Sequence, residues 1–457
     1  MTFDEENPMP SIRPISNDRF AALTMSKHPM ASILATEVEW YSDDSENTLG
    51  TILLDHTDKD WNYIILGRDE RGVFRWIDGA VSFDNIEGAR AALHLKLDEF
   101  SRRGDVVHPQ GDAVHKKNEI FKQVVSDERL HSHFRILRDT EGHSPAKGII
   151  QETAYAFIDL DGNFIEQFQS GGFNARLWEL FMFAYLHEEL FAFGDKTSFP
   201  DYECIKGDYP TYIECVTVNP SPGFDIDWSP KSASQIEMLN ADYLPIKFGS
   251  PLFTKLQRKY WEEPHVQGNP LVFAIHDFHK DDSMVWSGQA LGPYLYGKRW
   301  KAILDGHRLL RTVAETINTH TWNDKTIPSG FFFQPNAENV SAVLFSNSAT
   351  ISKFNRMGKL AGFGNTSIRM IRKGTCYNHD LNAPAPLPFS VEVIPGKYKE
   401  SWGQGLDMFH NPRAKHPVNP RLFPGIAHHY LDGDVMRSII PGFHPYSSIT
   451  LVIIPTE

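Results

Sequence analysis

Four short runs of alternating apolar and polar residues, ATEVEWYS, LGTILLDH, WNYIILGRD and GVFRWIDG, follow one another from Ala35, separated by Asp, Gly, Asn and Ser. A period of two predicts half-buried strands, and the next stretch, IEGARAALHLKLDEFSR, has the spacing of a helix, so residues 35–145 read as a small N-terminal α+β domain. Residues 1–34 carry prolines and little periodicity and read as an irregular lead-in. KNEIFKQVV predicts one more helix before a boundary near 145.

ETAYAFIDLDGNFIEQFQ alternates on both sides of Asp161-Gly162, which predicts a hairpin. GGFNARLWELFMFAYLHEEL follows, apolar almost all round apart from Glu179, and predicts a buried helix. Two short strands, DYECI and PTYIECVTV, a polar loop, a basic helix SPLFTKLQRKYW and a buried strand PLVFAIHDF complete a segment taken as the core, 146–321. Its last part, from Ser283 to about Thr321, is helical in pattern and carries Lys298, Arg299, Lys301, Arg308 and Arg311. Residues 322–457 alternate short apolar runs with Gly and Pro and predict a β-rich C-terminal domain. The order of elements predicts an α/β or α+β sheet flanked by helices.

With 457 residues, 41% of them hydrophobic, the chain can bury large cores. No window approaches the ~18 uninterrupted apolar residues of a membrane helix, and the start MTFDEENPMP lacks the order of a secretory signal, so a cytoplasmic protein without membrane contact is expected. Cys204, Cys215 and Cys376 are too few and too scattered for a disulfide framework. The net charge of -13 opposes general adhesion to polyanions, so contact with nucleic acid needs local basic patches or bound cations.

The candidate chemistry lies in the acids of the core. An ionised Glu179 in a buried helix has to be paired, protonated or bound to a cation, and Arg176 one turn back offers the pairing. If Gly207-Asp208 form a two-residue hairpin loop, Asp201 falls directly opposite Glu214, with Glu203 facing the same way. Like charges in that position destabilise a sheet unless a divalent cation lies between them, and Mg²⁺, with Mn²⁺ as substitute, suits carboxylate ligands. The alternative is an exposed hairpin edge whose acids point to water.

A helix with an inward Glu, then Pro200-Asp201, a turn and an acid inside an apolar strand together resemble the PD-(D/E)xK nuclease-like superfamily, over roughly residues 148–278. DGNFIEQFQSGGFNARLWEL is similar to uncharacterised bacterial proteins assigned to it. The resemblance implies a restriction-endonuclease-like αβββαβ core with Glu179, Asp201 and Glu214 as metal ligands. Val216 stands where that family carries its lysine. A relocated basic or glutamine side chain from the following helix is then implied, with Lys255, Gln257 and Lys259 as candidates and Lys231 as a further one.

From Asn339 through His379 the chain has no Asp or Glu, while Lys353, Arg356, Lys359, Arg369, Arg372 and Lys373 fall inside that window. Such a window predicts a phosphate-binding surface, with Phe354 and Phe363 available for stacking. The function expected is therefore a Mg²⁺-dependent nuclease acting on DNA. The alternatives are a lapsed nuclease fold that binds nucleic acid or protein, and a subunit of a bacterial defence or repair assembly that docks through its N-terminal domain. Self-association into a homo-oligomer is compatible with each.

Overall fold

The computed structural model describes residues 12–112, 115–194, 199–305, 308–380 and 385–455. It begins with β1 (Ile12–Pro14), α1 (Asn17–Leu23) and α2 (Met30–Leu34), so the expected irregular lead-in is ordered from Ile12 onward. Phe20, Ala22 and Leu23 of α1 are buried in the main core, and the Ser16 hydroxyl caps the helix by accepting the Arg19 N–H at 3.1 Å. Next come β2 (Ala35–Asp43), β3 (Thr48–Asp55), β4 (Trp61–Arg68) and β5 (Phe74–Phe83), an antiparallel meander, and α3 (Ile86–Arg103), all where the alternation predicts them. Ala89, Leu93, Leu97 and Phe100 form the apolar stripe of α3 and share a core with Ile52, Tyr63 and Ile65.

The chain then turns helical, with α4 (Ser132–Asp139), α5 (Ser144–Ala156), α6 (Phe164–Gln169) and α7 (Phe173–Glu188). The hairpin expected at Asp161-Gly162 does not form, because its arms belong to α5 and α6. Ala146, Ile149, Ile150, Thr153 and Ala154 are buried at spacings of three and four, a helical pattern that overrides the local alternation. KNEIFKQVV is not helical either. The Asn118 amide donates to the Ala154 and Phe157 carbonyls at 3.1 and 2.8 Å, and Ile120 is buried, so tertiary contacts hold the segment in turns.

The central part runs β6 (Ala192–Phe193), β7 (Tyr202–Lys206), β8 (Tyr209–Val218), α8 (Ala233–Met238), α9 (Leu244–Gln257) and β9 (Leu271–Asp277). After α10 (Leu291–Tyr296), the stretch expected to be helical forms β10 (Lys298–Asp305), β11 (Arg308–Thr316), β12 (Thr319–Trp322) and β13 (Lys325–Pro328), two hairpins. Gly297 at φ +64° ends α10, and the β-branched Ile303, Thr312, Val313 and Thr316 suit strands. The C-terminal part supplies β14 (Ala342–Ser346), α11 (Ile351–Leu360), β15 (Arg369–Cys376), β16 (Leu387–Glu392), β17 (Asp407–His410), β18 (Ala427–Asp432), β19 (Val435–Ile439) and β20 (Pro445–Ile453).

The protein is thus of mixed α+β class. Its largest sheet has eight strands in the order β19-β18-β17-β14-β9-β8-β7-β6, while β16-β15-β20 form a separate sheet. β6, β7 and β8 are antiparallel, β9 runs parallel to β8, and β14 runs parallel to β9. The boundary expected at 322 therefore cuts through one sheet, because β14 and β17 to β19 extend the ladder that β6 to β9 begin. Ile213, Cys215, Val272 and Ala274 pack with α7, while Tyr212, Val216, Phe273 and Ile275 pack with α9, so the sheet lies between two helical layers. α11 crosses α5 closely: a Cβ on Gly358 would stand 2.1 Å from the Pro145 carbonyl oxygen. Among the described residues no helix is long and apolar enough to cross a membrane.

Candidate active site

The β7–β8 turn has the form expected, with Lys206 paired to Tyr209 around Gly207-Asp208 and Gly207 at φ +62°. Tyr202 pairs with Ile213, and the same register carried one residue further sets Asp201 against Glu214. There the Asp201 carboxylate accepts the Cys215 N–H at 2.7 Å, so a side chain continues the ladder where the β7 backbone leaves it. Glu179 arrives from α7, which the Tyr202 hydroxyl ties to the hairpin by donating to the Glu179 carbonyl at 2.6 Å. Arg176 donates to the Glu179 carboxylate at 2.6 Å, the pairing the sequence allows.

Glu179, Asp201 and Lys255 line one cleft of about 660 Å³, together with Lys247, Thr254 and Lys325. Glu214 stands just behind it, 4% exposed, accepting from Lys255 Nζ and, at 2.7 Å, from the Tyr260 hydroxyl on the same oxygen. Its other oxygen, Oε2, is buried with no hydrogen-bond partner among the described residues. The alternation of β8 explains this setting: Tyr212, Glu214, Val216 and Val218 share the face toward α9. Val216 is buried there, and the ammonium that reaches Glu214 comes from α9 instead.

Burial, then the charges of Glu214 and Glu179, push the Asp201 carboxyl well above its ordinary range. Burial and the same carboxylates raise the Cys215 thiol, which removes it as a nucleophile. Burial and Glu214 likewise raise the Tyr260 hydroxyl, which stays a hydrogen-bond donor.

The donor set fits a hard divalent cation in kind, since it is all carboxylate oxygen and leaves Glu214 Oε2 unsatisfied. The three acids are not drawn into a tight cage, however, because Arg176 holds Glu179 and Lys255 holds Glu214. Among the described residues the only group of three acids whose oxygens lie within 4.8 Å of one another is Asp55, Asp58 and Asp60, at the end of β3 and just after it, with Asp58 exposed and the other two half-buried.

Gln257 and Lys259 are exposed and do not line the cleft, and Lys259 pairs with Glu262 at 3.1 Å. Gln257 lies two residues beyond Lys255, hence on the opposite side of α9. Lys231 is exposed in the loop before α8. Lys247 was not anticipated. It is 5% exposed and donates to the Asn219 carbonyl, Ser221 Oγ and Asp225 Oδ1 at 2.9, 2.8 and 2.8 Å. Its spacing of four and eight from Pro251 and Lys255 is the signal that places it on the same helical face.

The expected phosphate-binding surface is not formed. Lys353, Arg356 and Arg372 are 1%, 3% and 0% exposed and surround Glu400 at 2.7, 2.8 and 3.3 Å. Lys359 donates to the Ile368 carbonyl, Arg369 pairs with Glu392 at 2.7 Å, and Lys373 is exposed on β15. Phe354 is fully buried. The window lacks acids because their partners, Glu392 and Glu400, lie beyond its end in the sequence. Compared with family models, with characterised proteins and with solved structures, the chain matches none.

Proposed function

We propose that the protein is a divalent-metal-dependent nuclease that hydrolyses phosphodiester bonds in DNA, built on a PD-(D/E)xK-like αβββαβ core. The observation that carries this reading is the convergence of Glu179, Asp201 and Lys255 on one cleft with Glu214 bonded to Lys255. The order α7, β6, β7, β8, then α8 and α9, then β9, an antiparallel meander followed by helices and a parallel strand, supports the core assignment.

Glu179, Asp201 and the open oxygen of Glu214 would hold Mg²⁺ or Mn²⁺. When bound, the ion supplies charge neutralisation at the phosphate and a lowered pKa for water. Lys255 takes the place that Val216 leaves without a cation and offsets negative charge on the phosphate. Asp201 has to give up its proton before it can serve as a ligand, so metal affinity rises with pH.

Supercoiled plasmid incubated with Mg²⁺ or Mn²⁺ provides the test. Cleavage is expected for the natural chain and is lost in Asp201→Ala and Glu214→Ala, while Lys255→Met slows it by about 10²-fold or more. Cleavage that survives both acid substitutions overturns the reading. Salt-sensitive DNA binding without turnover under any metal, unaffected by Asp201→Ala, would identify a lapsed nuclease fold, which the Lys255–Glu214 ion pair and Val216 also accommodate.

A further inference from the structure

Among the described residues, Asp201 alone lines both the cleft and a second cavity of about 290 Å³ on the far side of the hairpin. That volume lies at the lower end of small-molecule sites, about 300 Å³. Phe157, Phe183 and Phe193 give the cavity an aromatic wall, with Phe183 and Phe193 stacked at 4.9 Å and 15°. One polar side chain, His187, shares this face of α7 with Phe183, four residues earlier. Burial, and then the Lys27 charge, lower His187 to about 4, so its ring is neutral; its N–H is taken by the Lys27 backbone, which leaves one lone pair. Lys27 and Arg71 line this cavity and also the large cleft under the N-terminal sheet.

We propose that this cavity receives an unpaired nucleobase whose own phosphate lies in the adjoining cleft, which makes single-stranded or locally unpaired DNA the substrate class. The inference rests on the nuclease reading above. The base lies against the Phe183 and Phe193 wall, where stacking is tolerant of sequence. A paired base must first leave its stack, and that cost is smallest where the strand is already unpaired.

The full chain is titrated with labelled single-stranded oligonucleotides, each carrying one abasic position, and binding is read by fluorescence anisotropy with Ca²⁺ in place of Mg²⁺ and again in EDTA. One abasic position is expected to weaken binding about tenfold. Phe193→Ala should weaken the intact strand by a similar factor and the abasic strand no further. Losses below about twofold at every position, losses that add, or no binding in either condition overturn the proposal. So does binding of deoxycytidine monophosphate that is sensitive to Phe193→Ala while every abasic strand binds normally, since the ligand is then the free nucleotide. Because no cleavage is read, plasmid cleavage without a base effect removes the pocket and leaves the nuclease. A base effect without cleavage keeps the pocket and removes hydrolysis.

Discussion

Asp201 bonds to a backbone N–H on one side and faces two other carboxylates, and folding raises its carboxyl well above the ordinary 3.8. A carboxyl raised in this way adds stability below its unfolded value and loses it as pH climbs through the folded value. Asp201→Asn abolishes that loss and keeps an acceptor for Cys215 N–H. Its melting temperature should exceed that of the natural chain at about pH 8, with the gain fading near pH 4; a variant that melts lower at about pH 8 would contradict the burial argument. Lys255→Met leaves the buried Glu214 with Tyr260 alone. The loss, read by urea denaturation, should be about 2–3 kcal/mol, below the 3–5 kcal/mol of a fully buried pair because Lys255 is 24% exposed. At this scale the sequence is informative where geometry is local. A Gly-first turn sets the register of Asp201 and Glu214, whereas Lys255, Gln257 and Lys259 stay equal candidates until the position of the cleft separates them. Tyr260 is not legible, because Lys259 adopts φ +53° after α9 and swings the next residue back onto Glu214.

Elements were legible where one period dominated, as in β2 to β5 and α3. They were misread where a short apolar run fits two periods. The arms around Asp161-Gly162 alternate locally, yet the burial of α5 repeats every three or four residues; the basic run from Lys298 looks helical, yet its two halves pair as antiparallel strands. Gly358 lets α11 cross α5. That contact reverses an ordinary expectation. Glycine to alanine inside a helix usually gains up to about 1 kcal/mol. Gly358→Ala should instead cost about 1–3 kcal/mol in equilibrium unfolding, because the new methyl meets a backbone oxygen that can yield only if the two helices separate.

Across the whole molecule, Glu400 joins parts that lie far apart in the chain. Lys353 and Arg356 come from α11, Arg372 from β15, and Arg356 also donates to Thr450 of β20 at 2.7 Å. Burial alone would raise the Glu400 carboxyl, yet Arg356, Lys353 and Arg372 hold it well below the ordinary 4.5. Its stabilisation is therefore present above 4.5 and fades as pH falls further. Glu400→Gln should cost about 3–5 kcal/mol at about pH 7, with the difference from the natural chain narrowing in acid, and hydrogen exchange should quicken first in β15, β16 and β20. Composition could not reveal this network, since a window without acids looks the same whether its cations meet phosphate or a distant glutamate. The eight-stranded sheet has a consequence for how the chain is made. β9 is complete at Asp277, but its outer neighbour β14 begins at Ala342. At roughly 5–20 residues per second a ribosome leaves that strand with one ladder unmatched for several seconds, the time in which a bare edge recruits other chains.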